Sequence, residues 1–420
     1  MNILILSDGI PPEGKGGAER IAWESARLLA SAGHSVSVLT TTQRAEAKGK
    51  PTTVATLDGI TVYTHYTTYH PRWRAWISLY NPGAVKEVRK IIRAIQPDIV
   101  HAHNIHAYLS YGALGAVRKE GIPVLLTVHD VMSYHYGKLP LLTEKDNGVC
   151  PAQTYYRVSA WNQFTENTFR YNPFRNVIIR YYLRSVTQIF AVSAALKEAL
   201  RQNAIQQVQV LYNFINESEW SVSTDECAQF ITRLRLTDKK IILFGGRVTS
   251  SKGGDALLEA FRLVHQEVPS AVVVLMGTEN DYVRRLLARA EDMGIRECIV
   301  TTGWISGREL AAAYHAATVV TVPSLIFDSL TMISLEAMAC GKPVVGSCSG
   351  GIPETIERGV TGQVIHPLNT KEYAEVLIDL LTQPEKAAQW GTAGSLLQQE
   401  RFSQEAHLAT LMSAYEKAVR

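Results

Sequence analysis

Pro323-Ser324-Leu325-Ile326-Phe327-Asp328-Ser329-Leu330-Thr331-Met332-Ile333-Ser334-Leu335-Glu336-Ala337-Met338-Ala339-Cys340-Gly341-Lys342-Pro343-Val344-Val345 follows an apolar run of Val319, Val320 and Val322. The run reads as a strand that stops at Pro323. A polar turn carries Asp328, and a helix is expected from near Thr331 to Gly341, ahead of a further strand. One carboxylate thus sits in the loop, and Glu336 sits on an early turn of the helix. Between them lies the helix N-terminus, whose unpaired N–H groups and positive dipole end suit a phosphate. Two acceptor carboxylates beside an anion site match a nucleotide sugar, whose hydroxyls donate to carboxylates and whose diphosphate rests on amides.

The same alternation of short apolar strands and helical stretches fills the chain. In the first half, strands are expected at Asn2–Ser7, Ser35–Thr40, Ile60–Tyr63, Ile99–Ala102, Val124–His129, Gln188–Ser193 and Val208–Tyr212. In the second half they are expected at Lys240–Gly245, Ala271–Met276, Cys298–Thr302, Val319–Val322, Pro343–Gly346 and Gly362–Ile365. This pattern predicts an α/β protein with parallel, doubly wound sheets. Ile21, Ala22, Ser25, Leu28 and Leu29 share one helical face, and Gly33 ends that helix. The polar segment Asn213–Trp220 separates the two series.

Composition bounds the possibilities. A chain of 420 residues exceeds one ordinary core, so two domains are expected. With 46% hydrophobic and 19% charged residues, it reads as a soluble globular protein. A net charge of +3 gives no general case for nucleic acid. The five cysteines (Cys150, Cys227, Cys298, Cys340 and Cys348) are scattered and lack a Cys-x2-Cys pair, which predicts reduced thiols in a cytosol. Met1 leads directly into a strand, so no cleavable signal is expected, and no apolar run is long enough to span a bilayer.

Asp328 and Glu336, eight positions apart, resemble the carboxylate-x7-Glu motif of retaining glycosyltransferases of family 4. The resemblance implies the GT-B fold, two Rossmann-like doubly wound parallel-sheet domains facing a central cleft. On that frame, residues 1–213 form an acceptor-binding domain joined by the C-terminal helix 404–420. Residues 214–224 are the linker, and 225–400 form the nucleotide-sugar domain. The family more often has Glu, then Gly, where this chain has Asp328 and Ser329. Three further elements carry the likeness. Gly16-Gly17-Ala18-Glu19-Arg20 resembles the family's glycine loop, where paired glycines let a substrate approach backbone N–H groups. Gly246-Arg247 with Lys252-Gly253 resembles its Gly-Arg-x(n)-Lys-Gly element. Those two cations converge on the donor diphosphate, Arg as a planar fork and Lys as a point charge. His129, ending a strong strand, resembles the family's strand-end histidine, a hydrogen-bonding group at the reaction centre.

The resemblance thus implies His129, Asp328, Arg247 and Lys252 as catalytic residues. It implies Gly16, Gly17, Leu330, Thr331, Met332 and Glu336 in donor binding. Trp304, which follows another strand, offers a stacking face for the base. The donor is a nucleotide-diphosphate sugar, UDP-sugar before GDP-sugar, and no cofactor is implied. His101-x-His103 is a possible zinc pair, yet no partner stands at suitable spacing and no Asp-x-Asp occurs. Glu144-Lys145-Asp146 is the nearest imitation. Metal independence is therefore expected, and the resemblance implies a retaining transferase of hexose-type sugars, with a saccharide or lipid-linked acceptor, in surface polysaccharide or glycoconjugate synthesis.

The first loop lacks the dinucleotide fingerprint, which disfavours a dehydrogenase. An epimerase or phosphorylase on the same fold, and a non-catalytic nucleotide-sugar-binding protein, are the alternatives. Two stretches mix aromatic and cationic residues: 69–93, with Tyr69, Arg72, Trp73, Arg74, Trp76 and Tyr80, and 169–184, with Phe169, Arg170, Phe174, Arg175 and Tyr181. They suit an anionic membrane surface, so a cytoplasmic protein with peripheral contact at the inner face is expected.

Overall fold

A computed structural model describes every residue except Lys15 and Arg420. The side chains of Glu144 and Phe169 also lie outside the described residues, and with them those two parts of the sequence expectation. The chain divides into two compact units. The first contains Met1–Lys138, Tyr155–Asn213 and the chain from Glu405 on; the second contains Leu139–Thr154 and Phe214–Gln404.

The first unit is built on an eight-stranded sheet. Its strands are β1 (Asn2–Leu6), β2 (Ser35–Thr42), β3 (Thr53–Leu57), β4 (Ile60–Tyr66), β5 (Ile99–Ala102), β6 (Val124–Val128), β7 (Gln188–Ala191) and β8 (Val208–Val210). Their order is β3-β4-β2-β1-β5-β6-β7-β8. All neighbours run parallel except β3 and β4, which form an antiparallel hairpin at the edge. That hairpin was not expected, although Asp58-Gly59 is its signal: both residues have positive φ (51° and 77°), as a tight two-residue hairpin turn requires. The terminal helix Gln404–Val419 sends Leu411 and Tyr415 into the core beside Ile3, Val36 and Leu125.

The second unit holds a wholly parallel six-stranded sheet. Its strands are β9 (Lys240–Gly245), β10 (Ala271–Met276), β11 (Ile299–Gly303), β12 (Val319–Val322), β13 (Val344–Ser347) and β14 (Gly362–Ile365), in the order β11-β10-β9-β12-β13-β14. Strands buried on both faces, such as Val272-Val273-Val274-Leu275, are continuous in apolar residues for that reason. The order proceeds outward in both directions from the pair β9 and β12, and the crevice for a ligand in such a sheet lies at the carboxyl ends of that pair.

Two expectations need revision. Leu139–Thr154, inside the expected first domain, groups with the second unit. Cys150 and Cys348 form a disulfide, so the expectation of reduced thiols holds only for Cys227, Cys298 and Cys340. The pair stands 198 positions apart, a spacing in which no sequence pattern marks partners.

At the β9–β12 crevice the backbones nearly touch. Gly253 has φ of +80°, and a Cβ there would lie 1.8 Å from the Pro323 carbonyl oxygen. Gly253→Ala therefore combines a left-handed penalty of about 1–2 kcal/mol with a backbone collision. The expected outcome is a loss of more than about 2 kcal/mol in denaturant unfolding of the second unit, whereas Gly294→Ala, with open space around it, loses less.

Candidate functional site

In the second unit the loops after four strands meet along one edge. After β9, Gly246 adopts φ of +98°, and a Cβ on it would come within 3.0 Å of Ile333 in the first turn of the Met332–Ala339 helix. The Arg247 loop therefore lies against that helix start. Arg247 itself is exposed and has no ion-pair partner among the described residues. The turn Ser250–Lys252 follows, and Gly253 then opens the helix Gly254–Glu267. Its contact with Pro323 carries Lys252 to the loop after β12, where Lys252 Nζ meets Asp328 Oδ1 at 2.5 Å. Asp328 Oδ2 is buried and accepts no hydrogen bond among the described residues.

Thr331 is the N-cap residue of the Met332–Ala339 helix, but its side chain makes no cap hydrogen bond. The first-turn N–H groups, including that of Met332, are thus not capped by the Thr331 side chain. Glu336 stands one turn further in. It is 5% exposed and accepts a hydrogen bond of 2.5 Å from the Tyr314 hydroxyl. Tyr314 is itself edge-on to Trp220. Trp304, after β11, is 49% exposed and presents an indole face. Its neighbour Gly303 accepts from Gly277 N–H, and Gly277 abuts the Gly246 carbonyl, so this loop joins the same edge.

Residues missed in the sequence complete the edge. After β13, Ser349 Oγ donates to the Ile326 carbonyl (2.5 Å) and Gly351 N–H to the Asp328 carbonyl (2.7 Å). Gly350, at φ of +59°, leaves only 2.1 Å between a would-be Cβ and the Asp328 oxygen. Paired glycines after a strand were a legible signal here, as they were at Gly16 and Gly17. Tyr314 carried none, since a tyrosine within an alanine-rich helix reads as core.

The first unit places Gly16, Gly17 and His129 on its own carboxyl edge. Gly16 precedes the helix Gly17–Ser31, and its N–H donates to Glu19 Oε2 at 2.8 Å. Any Cβ at Gly9 or Gly14 would meet the same Glu19 side chain, so that carboxylate shapes the glycine loop. Asp8, unassigned from sequence, accepts from the N–H groups of Ala107, Tyr108 and Leu109 at 2.7–2.9 Å. Burial nevertheless raises its pKa, against the pull of His106 and those three amides. His129 Nε2 lies 3.0 Å from His103 Nδ1, and His103 Nε2 has no partner among the described residues. His101 is committed on both nitrogens, to Tyr415 and Thr127. No three His, Cys, Asp or Glu side chains among the described residues gather as a metal set.

Arg175 leaves the surface reading of the second aromatic stretch. It is fully buried, donates to the Met132 carbonyl and lies over the Tyr136 ring. Trp73, Trp76, Tyr80, Phe174 and Tyr181 are exposed. The two stretches flank the helix Gly112–Lys119, with Tyr80 against Gly112 and Tyr182 against Gly115.

Two family models match the chain: Glycosyltransferase Family 4 over residues 15–219, and Glycosyl transferases group 1 over residues 229–396. An uncharacterized glycosyltransferase of Methanocaldococcus jannaschii is 26% identical, covering 89% of this chain and 87% of that protein. A D-inositol 3-phosphate glycosyltransferase of Catenulispora acidiphila is 28% identical, covering 96% and 91%. Among solved structures, Anabaena HepE in complex with UDP-glucose matches with a TM-score of 0.72 at 18% identity, covering 99% of this chain and all of that one. Sucrose-phosphate synthase of Thermosynechococcus elongatus matches with 0.76 at 21%, covering 99% and 98%.

The buried histidines set an acid limit on the first unit. Burial lowers His129 and His407 to about 4, and His101 to about 3. The unfolded chain takes up these protons below about pH 6.5, before the folded chain does. Stability is therefore full above about pH 6.5 and falls as the pH drops toward 4, by about 3 kcal/mol for one imidazole held near 4. Thermal melts between pH 7.5 and 4.5 should show this decline. His407→Gln should make it shallower by the share of one imidazole.

Proposed function

This chain belongs to the family 4 glycosyltransferases with the GT-B fold, and we propose that it is a retaining, metal-independent enzyme using a nucleotide-diphosphate hexose. The carrying observation is the Lys252–Asp328 pair at the β9–β12 crevice, beside a helix N-terminus without a side-chain cap. In this reading the N–H groups near Leu330, Thr331 and Met332 take one side of the diphosphate. Arg247 and Lys252 take the other and stabilise the charge that grows on it as the glycosidic bond breaks. Glu336, oriented by Tyr314, receives the ribose hydroxyls. Trp304 stacks on the base, and Asp328, through the oxygen left without a partner, receives donor-sugar hydroxyls.

Retention follows a same-face attack. A phosphate oxygen of the leaving group takes the acceptor proton, so no protein base is needed. His129 suits that scheme as a hydrogen-bonding group, since burial keeps its imidazole neutral at pH 7. Gly16 and Gly17, which carry no side chains, let the donor approach the glycine loop. UDP-sugar is proposed ahead of GDP-sugar as the donor, and nucleotide binding decides between them. The acceptor is a saccharide or lipid-linked saccharide, in polysaccharide or glycoconjugate synthesis.

Calorimetry with UDP, GDP, ADP and NAD tests the donor site. One nucleoside diphosphate should bind, and binding should be lost in Glu336→Ala and Lys252→Ala. Lys252→Ala should lower transfer by about two to three orders of magnitude while the chain still folds, as a cooperative melt would show. Near-normal turnover in that variant removes the assignment.

No described helix is long and apolar enough to cross a membrane. Contact is instead peripheral in this proposal, at the cytoplasmic face, through the exposed rings of 69–93 and 169–184. Arg72 lies over Trp73, and Arg184 is exposed on the same stretch as Tyr181. Aromatic rings with cations suit an anionic interface. The protein should float with vesicles containing anionic lipid and stay behind with neutral ones. Trp73→Ser/Trp76→Ser should abolish flotation without changing nucleotide affinity.

A further inference from the structure

The segment Leu139–Thr154 groups with the second unit while presenting little apolar surface to it. Leu142 is the one buried hydrophobic side chain among its described residues, whereas Lys145, Asn147, Val149 and Pro151 are exposed. Its anchors are polar and covalent. The N–H groups of Leu141 and Leu142 donate to the Leu325 carbonyl (3.1 and 3.0 Å), and Phe327 N–H donates to the Leu139 carbonyl (2.8 Å). Asp146 stands 3.9 Å from His366, and Cys150 is bonded to Cys348. A strap this poor in buried surface opens readily on its own, and a bond closing a loop of 198 positions removes much of that freedom. The far end of the bond is equally placed. Cys348 begins the turn whose Ser349 and Gly351 hold the carbonyls of Ile326 and Asp328. Residues Leu325–Asp328 are thus gripped from both sides by segments that one disulfide joins.

We propose that Cys150–Cys348 is a redox clasp on the donor loop. Closed, it fixes Leu325–Asp328 with Asp328 set on Lys252; opened, it frees the strap and weakens donor binding. The inference rests on the donor site proposed above. Opening requires a dithiol reductant. One of its thiolates attacks one Sγ of the bond and expels the other as a thiolate, giving a mixed disulfide. The second thiol resolves this. Two electrons and two protons pass to Cys150 and Cys348, and the dithiol leaves oxidised. Both cysteines are half-buried, and the strap around Cys150 is largely exposed, so a small dithiol has access.

The test compares the purified full chain before and after dithiothreitol, with Cys150→Ser alongside. Alkylation in denaturant followed by mass spectrometry should count three free thiols without reductant, those of Cys227, Cys298 and Cys340, and five after it. Hydrogen exchange at Leu141, Leu142 and Phe327 should accelerate on reduction, and Cys150→Ser should match the reduced protein under both conditions. Affinity for the nucleoside diphosphate that binds the oxidised form should weaken about tenfold. Five free thiols at the outset, or unchanged exchange on reduction, overturns the clasp; so does accelerated exchange with unchanged affinity. If no nucleoside diphosphate binds in either state, the donor-site reading fails, and with it the clasp's role in donor binding.

Discussion

Everything in the second unit turns on how closely two loops approach. Lys252 reaches Asp328 because Gly253 lies against the Pro323 carbonyl at a φ that side chains avoid. That contact is available only where β9 and β12 are neighbours, which is where the strand order reverses. The cation and the carboxylate come from segments 76 positions apart, and sheet topology brings them together. Glycines recur along the same edge for one reason: at Gly253, Gly277 and Gly350 a side chain would strike the backbone of the next loop. The edge is thus a row of backbones in contact, with a few polar side chains projecting from it.

The two carboxyl edges differ in how far their polar atoms are already used. In the first unit, Asp8 is saturated by three amides, His101 is bound at both nitrogens, and Glu19 closes its own loop. That edge is largely occupied with holding its own loops in place. In the second unit, Asp328 keeps one buried oxygen without a partner, and Arg247 projects into solvent. A buried carboxylate oxygen that lacks a donor costs free energy unless something supplies one. Sugar hydroxyls are donors of the right kind, and the cations beside Asp328 suit the phosphates to which such a sugar is attached.

Short-range patterns were legible in the sequence, and long-range ones were not. Strand-end motifs such as Val319–Pro323 and Lys240–Gly246 are local, because apolar runs and glycines act within a few residues of themselves. They placed Asp328, Glu336, Arg247 and Lys252 on the right elements. The β3–β4 hairpin was equally local, with Asp58-Gly59 as its mark, and was overlooked because β3 is a five-residue edge strand with no buried side chain. The Tyr314–Glu336 bond, the burial of Arg175 and the Asp8 amide cradle depend on segments 22, 43 and about 100 positions apart. No composition or period signals such pairings. Arg175 shows the hazard: a cation amid aromatics reads as surface, whereas here the rings bury it.

The disulfide brings the same problem to the question of compartment. Scattered cysteines without a pair motif read as reduced thiols, and for three of the five that reading stands. Cys150 and Cys348 meet because Leu139–Leu142 pairs with Leu325–Phe327, which carries the strap past the end of β13. The bond closes over a segment that buries little, beside the loop bearing Asp328. A disulfide that merely strengthened a core would more naturally join elements already held by apolar contact. This one joins two segments held mainly by backbone hydrogen bonds, so its state bears most on the loop between them. Stability and donor geometry then depend on the same covalent bond.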